Sequence, residues 1–169
     1  MAELLPLFAF LGVLALFVVY RLALQGGEPA EVRNGSLIIV ERTLRGAAPR
    51  PFHGRLDRAY AFGGLHFPVE YKTHTRDVAY ATDIAELSLQ AELLRQNGYA
   101  TAPYAFVVNQ ARGARRPQWI RVDLWDRKAI EQLFVRHREL SRPDAISIPS
   151  RGAKCRSCGQ ASNCTREAQ

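Results

Sequence analysis

Cysteine is scarce in this sequence, which has three among its 169 residues. Three is an odd number, and all three thiols lie close to the C-terminus, so the chain does not have the paired framework of a disulfide-stapled secreted domain. The sequence also lacks internal repeats and low-complexity tracts, and its 47% hydrophobic content excludes a largely disordered protein. The length allows one globular domain of ordinary size with short appendages.

Charge is missing from a long apolar run near the N-terminus. Residues 4–20 contain no charged side chain, and as a helix they would extend roughly 26 Å, close to the thickness of a hydrocarbon core. A cleaved signal peptide and a buried core helix are the alternatives, but the run has neither a basic start nor a polar face. We therefore expect a transmembrane anchor over residues 1–25, with Arg21 at the interface.

Basic residues follow this run, and none precedes it. Arg21, Arg33, Arg42 and Arg45 come after the span, whereas only Glu3 comes before it. Because basic residues flank the cytoplasmic end of a membrane span, we expect a single-pass membrane protein whose folded domain lies in the cytoplasm.

The net charge of the chain is +7. Glu3 and Arg21 cancel, so the whole excess belongs to residues 25–169. A basic domain attracts polyanions, of which nucleic acid and anionic lipid are the leading candidates. Charge alone does not choose between them.

The pattern beyond the anchor is typical of an α/β domain. Residues 26–35 are rich in Gly, Glu, Pro and Asn and are predicted to be a linker, and the domain proper is expected over residues 36–150. The sequence predicts strands over residues 36–43, 54–62, 65–73, 104–109 and 119–125. Helical periodicity predicts helices over residues 83–97 and 126–140. An Asp83-x-x-Glu86 pattern opens the first helix and Gly98 closes it.

Gly63-Gly64 separates the second and third predicted strands, and such a pair suits a tight hairpin turn. This turn sets Phe62 opposite Leu65, Tyr60 opposite Phe67 and Leu56 opposite Tyr71, which gathers one apolar face.

The other face of the same hairpin carries charge. The register places Asp57 opposite Glu70, with Lys72 two residues farther along that face. Opposed carboxylates repel one another unless a cation lies between them, and Mg²⁺ or Mn²⁺ prefers such hard oxygen ligands. The backbone carbonyl of Tyr71 is a third candidate ligand, and the Lys72 ammonium is suited to orient an attacking water or to stabilise charge on a phosphate.

Three further arginines, Arg112, Arg115 and Arg116, lie in a predicted loop between the last two strands. An exposed basic loop is a candidate contact for the phosphates of a nucleic acid.

These residues resemble a known family. The segments GRLDR at residues 54–58 and PVEYKT at residues 68–73, followed by a helix, look like the core of PD-(D/E)XK nucleases, in particular the RecB-like exonucleases associated with CRISPR systems. The resemblance covers roughly residues 36–164. It implies a restriction-endonuclease-like fold, a mixed sheet flanked by helices, and an Mg- or Mn-dependent DNA exonuclease with DNA and CRISPR adaptation or repair proteins as partners.

The same family has cysteines near its C-terminus. Here Cys155, Cys158 and Cys164 fall in residues 151–169, and the resemblance implies that this tail binds a four-iron, four-sulfur cluster. The family's fourth, upstream cysteine is absent. The alternatives are a non-cysteine ligand, a three-cysteine remnant, completion by a partner chain, zinc with a histidine, or three thiols without a ligand.

The family's helix motif is a Gln followed four residues later by a Tyr. Gln90 with Leu94 is one alignment, and Glu86 with Gln90 is the other. We prefer the second, because residues four apart share a helix face and can reach the sheet, and we expect Gln90 to take part in catalysis. The resemblance further implies that His53 lies near the metal, as a family histidine does.

The sequence thus predicts a membrane-tethered, metal-dependent DNA exonuclease that hydrolyses phosphodiester bonds. A catalytically inactive iron–sulfur or zinc DNA-binding module on the same fold is the main alternative. A membrane-surface protein whose basic face meets anionic lipid is the other, but it leaves Asp57 and Glu70 unexplained.

Overall fold

The structure is a computed structural model, and it describes residues 12–14, 16–17, 27–47, 51–145 and 152–161. The chain divides into two compact units, residues 1–125 and residues 126–169. From residue 27 onward, the described part of the first unit forms these elements: α1 (Ala30–Arg33), β1 (Ser36–Arg45), β2 (His53–Phe62), β3 (Leu65–Lys72), α2 (Ala81–Gln96), β4 (Tyr104–Asn109) and β5 (Gln118–Asp123). The described part of the second unit includes α3 (Arg127–Leu140) and a 3₁₀ helix (Ala153–Ser157).

The five strands form one sheet in the order β1-β2-β3-β4-β5. Strands β3 and β4 are parallel, and the other neighbours are antiparallel. Helix α2 is the crossover that a parallel pair requires, and its Leu87 packs with Ala105 and Val107 of β4 on one face of the sheet. The predicted mixed α/β sheet, with the hairpin in it and a helix packed across it, is present.

The hairpin turn forms as its glycines predict. Gly63 and Gly64 have φ angles of 59° and 79°, and two consecutive positive φ angles are the geometry that a tight primed turn requires. The pairing runs from Phe62 opposite Leu65 to Arg58 opposite Val69, so the predicted register is confirmed over this stretch.

Leu56 departs from the prediction. It is fully buried and shares a cluster with Ala59 and with Leu93 of α2, whereas Tyr71, its expected partner, is 37% exposed. Strict alternation would put residues 56 and 59 on opposite faces. Strand β2 therefore changes its phase between them, at Asp57 and Arg58.

The other face of the sheet holds an aromatic cluster. Phe67 is fully buried at its centre and lies 6.0 Å from the Tyr60 ring and 5.4 Å from the Phe106 ring, measured between centroids. The cluster is made of Val32, Tyr60, Phe67, Val69, Ala102, Phe106 and Val108, with Tyr104 and Trp119 packed against it.

Helix α2 begins two residues before its predicted start. The Asp83 carboxylate accepts a hydrogen bond from the backbone N–H of Tyr80 at 2.8 Å, so it caps the helix from inside the first turn. The apolar residues Leu87, Ala91 and Leu94 of this helix are buried. Gly98, with a φ angle of 85°, follows the last turn as expected.

Part of the predicted linker is helical. Helix α1 buries Val32 in the aromatic cluster, and its Glu31 pairs with Arg121 of β5 at 2.9 Å. This segment is therefore packed against the sheet.

The predicted transmembrane helix is not supported, and that part of the predicted architecture is corrected. Within the residues that the structure describes, no helix has the length and apolar character needed to cross a membrane. Of the predicted anchor, only residues 12–14 and 16–17 belong to the described set, and they are helical. The cytoplasmic orientation inferred from that anchor stays a prediction.

The second unit begins with helix α3. The side chain of Asp126 caps it by accepting a hydrogen bond from the backbone N–H of Ala129 at 2.8 Å. The helix ends at Leu140, as predicted.

Candidate functional site

Polar side chains gather where strand β3 ends, on the face of the sheet that helix α2 covers. Glu70 and Lys72 lie two residues apart on β3 and contact α2 through Gln90 and Glu86. A period of two along the strand sends both side chains to this face, while Val69 faces the aromatic cluster.

The Glu70 carboxylate is buried, with 6% of the residue's surface exposed. Its Oε2 accepts a hydrogen bond from Gln90 Nε2 at 2.8 Å, and its Oε1 accepts one from Lys72 Nζ at 2.9 Å. Burial raises the pKa of Glu70 above its ordinary value, and these two hydrogen bonds only partly offset that effect.

Lys72 bridges two carboxylates. Its Nζ lies 2.9 Å from Glu70 Oε1 and 2.7 Å from Glu86 Oε2. Burial lowers the pKa of Lys72, but the hydrogen bonds to Glu86 and Glu70 outweigh burial and hold it above the usual range. Lys72 therefore stays a cation at neutral pH, so it is suited to stabilise negative charge and not to abstract a proton.

The shared ion pair affects its two members differently. The Glu70 side chain is 8% exposed and the Lys72 side chain 21%. Electrostatic repulsion from the negative charges of Glu86 and Asp57 raises the pKa of Glu70 further. Desolvation and repulsion therefore dominate at Glu70, and attraction dominates at Lys72.

Asp57 approaches the same site from strand β2. It is half-buried, and its Oδ2 accepts a hydrogen bond from the backbone N–H of Tyr71 at 3.0 Å. The Asp57 charge acts on Glu70, so the two carboxylates are close enough to repel. The change of phase in β2 occurs at Asp57. Its neighbour Arg58 is the last residue of β2 that pairs with β3.

A divalent cation fits this donor set in its chemistry. Asp57 and Glu70 are hard oxygen ligands, and Mg²⁺ is typically held by one or two carboxylates together with waters and substrate phosphate. Gln90 is 3% exposed, and its Oε1 is buried with no hydrogen-bond partner, so the site contains an acceptor that the described residues do not satisfy. No group of three or more His, Cys, Asp or Glu side chains among the described residues is arranged to hold a metal ion.

The structure does not bring His53 to these carboxylates. His53 is exposed and pairs with Arg45 at the start of strand β2. Asp57 follows His53 by four positions along the strand, so their Cα atoms are roughly 13 Å apart.

A contact between the loop after β3 and helix α2, which the sequence did not predict, extends the site beyond Lys72. His74 Nε2 lies 2.9 Å from Asp83 Oδ2, and Asp83 is 4% exposed. The fully buried Asn109 holds the His74 backbone, because its Oδ1 accepts from the His74 N–H at 2.7 Å. A His two residues after Glu-x-Lys, with an Asp opening the next helix, was the available signal.

The basic loop between β4 and β5 starts beside Lys72. The backbone N–H of Gln110 donates to the Lys72 carbonyl at 2.8 Å, which ties the loop to the end of β3. Arg112, Arg115 and Arg116 are exposed in this loop.

Two of the three cysteines fall within the described residues. Cys155 and Cys158 are exposed, and Cys155 Sγ accepts a hydrogen bond from the Gly152 N–H at 3.4 Å. Cys164 lies outside the described residues.

Comparison with known proteins gives a fold and no family. No family model and no curated protein matches the sequence. The crystal structure of a protein named SSO0001 shares the fold, with a TM-score of 0.53, 16% identity, and coverage of 95% of this chain and 72% of its own. A crystal structure named "Putative exonuclease" from Eubacterium rectale matches at a TM-score of 0.37 and 11% identity, over 72% of this chain and 57% of its own. At these identities the first likeness establishes the fold alone, and the second is too distant to add an argument.

Proposed function

We propose that this protein is an Mg- or Mn-dependent deoxyribonuclease that hydrolyses phosphodiester bonds at the site of Asp57, Glu70 and Lys72. The observation that carries the proposal is the Lys72 ammonium, which lies 2.9 Å from the buried Glu70 carboxylate at the end of the central strand of a basic chain. A carboxylate pair with an adjacent ammonium suits metal-assisted hydrolysis of a phosphodiester.

Each residue has a role in this proposal. Asp57 and Glu70 hold the cation, with the Tyr71 carbonyl as a candidate third ligand, and Gln90 orients Glu70 through its hydrogen bond at 2.8 Å. A bound divalent cation lowers the pKa of water and neutralises phosphate charge. Lys72, which stays protonated, stabilises the charge that develops on the scissile phosphate.

DNA is the proposed substrate because the chain is basic and the exposed arginine loop starts beside Lys72. Arg112, Arg115 and Arg116, which are exposed in that loop, are the proposed contacts for backbone phosphates. The exonucleolytic mode, and partners in CRISPR adaptation or repair, are proposed from the resemblance of residues 54–58 and 68–73.

We also propose that Cys155, Cys158 and Cys164 bind an iron–sulfur cluster or zinc. The support is their spacing and the N–H···S hydrogen bond at Cys155. His53 enters no step of the proposed reaction, since it lies far along the strand from Asp57.

Cleavage of end-labelled DNA by the full chain tests the proposal. With Mn²⁺ and single- or double-stranded substrate, the parent should release labelled products. Glu70→Gln and Lys72→Met should each lower kcat by roughly 100-fold or more, the usual cost of removing one preorganised charge-stabilising group. Glu139→Gln, an exposed residue of α3, is the matched control and should cleave like the parent.

Equal cleavage by the parent, Glu70→Gln and Lys72→Met would contradict the proposal. Retained DNA binding without any cleavage by the parent would favour the inactive DNA-binding module instead. Circular-dichroism melting of each variant separates a loss of chemistry from a loss of fold.

A further inference from the structure

The Lys72 ammonium has two carboxylate partners, and they have different environments. Glu70 belongs to the central strand and its side chain is 8% exposed, whereas Glu86 belongs to helix α2 and its side chain is 46% exposed. Glu86 makes the shorter contact, at 2.7 Å against 2.9 Å. Among the described residues, the Glu86 carboxylate has no other hydrogen-bond partner than Lys72.

The two oxygens of Glu70 are also held differently. Gln90 keeps Oε2 at 2.8 Å, and Lys72 occupies Oε1. If Glu70 is a ligand of the proposed cation, one of these oxygens must change its partner. Oε1 is the one that can, because Lys72 already has a second acceptor in Glu86 at 2.7 Å, whereas the second acceptor of Gln90 Nε2, the Arg55 carbonyl, lies at 3.5 Å.

The charges of the group agree with such an exchange. Asp57, Glu70 and Glu86 bring three negative charges and Lys72 brings one positive charge, so two negative charges remain for a divalent cation to neutralise. Without Glu86 the ammonium would have Glu70 alone as a partner, and it would compete with the cation for the same oxygen.

We infer that Glu86 is a positioning residue that takes over the Lys72 ammonium when Glu70 Oε1 is given to a divalent cation. This inference rests on the metal site of the proposed function. In it, Lys72 moves between two carboxylates while its charge remains in the site, so the cation and the ammonium are present together. Glu86 touches neither the cation nor the substrate.

A double-mutant cycle on the full chain tests the exchange. The binding of Mn²⁺ without DNA is measured by isothermal titration calorimetry at neutral pH for the parent, Glu86→Gln, Lys72→Met and the double variant. Glu86→Gln should weaken Mn²⁺ binding by roughly tenfold, because Lys72 then competes for Glu70. In the Lys72→Met background the same change should weaken binding by no more than about twofold, the size expected for losing an exposed charge in screened solvent.

Glu92→Gln is the matched control, because it removes the same charge from the same helix. Glu92 pairs with Arg95 at 2.7 Å and not with Lys72, so this variant should bind Mn²⁺ like the parent. Glu86→Asp, which keeps the charge, should restore part of the affinity and provides a second variant if Glu86→Gln does not fold.

Two outcomes overturn the inference in distinguishable ways. If Glu86→Gln weakens Mn²⁺ binding equally with and without Lys72, the exchange is wrong while the metal site stands. If the parent binds no Mn²⁺, the metal site of the proposed function fails and the exchange fails with it.

Discussion

The two faces of strand β3 differ in chemistry near its C-terminal end, although neighbouring residues supply both. Phe67 and Val69 of β3 are fully buried among aromatic rings, whereas Glu70 and Lys72 face helix α2 and form charged contacts there. A step of one residue along β3 therefore leads from an apolar core to the candidate site.

The largest expected effect comes from breaking the aromatic face. Phe67→Ala removes a fully buried ring that lies 5.6 Å from the Tyr104 ring and 5.4 Å from the Phe106 ring. The free energy of unfolding, measured by urea titration, should fall by about 3–5 kcal/mol. Phe62→Ala at the hairpin end, where the ring is 38% exposed, should cost roughly 1 kcal/mol or less.

Similar losses in both variants would show that the aromatic face does not carry the stability of the sheet. Mn²⁺ binding at a temperature where Phe67→Ala is still folded should match that of the parent, because the substitution is on the opposite face from Glu70.

A smaller effect is expected from the polar face. Asn109 is fully buried on β4, and its side-chain amide donates to the carbonyls of His74 and Arg76 and to the Asp77 carboxylate at 2.9–3.2 Å. Asn109→Ala leaves these groups and the His74 N–H without that partner, so stability should fall by about 2–3 kcal/mol.

The loss of stability in Asn109→Ala should be local as well as global. Amide hydrogen exchange should quicken in residues 73–80, the connection between β3 and α2, more than in β1. Uniform acceleration through the sheet would contradict an anchoring role for Asn109.

The smallest expected effect is a pH dependence that belongs to Glu70. Burial raises the pKa of this carboxyl above its ordinary value of 4.5, so the folded chain holds the proton more tightly than the unfolded chain. The resulting stabilisation is present below pH 4.5 and is lost as the pH rises through the raised pKa of the folded state.

Thermal melting of the parent and Glu70→Gln in chelator, from acid to neutral pH, measures this effect. The variant has no carboxyl to ionise at position 70. Its melting temperature should therefore rise relative to that of the parent as the pH rises. A difference that is constant with pH would show that the buried carboxyl does not titrate differently in the folded chain.

Local sequence features predict the central hairpin well. Two adjacent glycines allow the positive φ angles of the turn, and period-two alternation then fixes Tyr60 against Phe67. The bounds of β4 also agree with the prediction, because residues 104–109 form a short apolar run with clear ends. Glu86 and Gln90 both reach the sheet, as their spacing of four on one helix face predicts.

Long-range packing determines what these patterns miss. The change of phase at Asp57 follows from burying both Leu56 and Ala59 against α2, which alternation within one strand cannot express. Helix α1 was predicted as a linker because Gly and Pro surround it, yet burial of Val32 in the aromatic cluster holds it in place. The apolar run at the N-terminus predicted a membrane span that the described helices do not support.

The sequence by itself determined which residues carry charge on one face of the hairpin, since a tight turn and the alternation of a strand are local properties. Glu70 and Lys72 could therefore be assigned to one face before their contacts were known, whereas the predicted pairing of Asp57 with Glu70 is not among the pairs of β2 with β3. Only the tertiary structure decided which partners they have, because the distance between β3 and α2 is set by packing across the whole sheet. That packing places Lys72 between Glu70 and Glu86 and leaves Gln90 Oε1 buried without a partner.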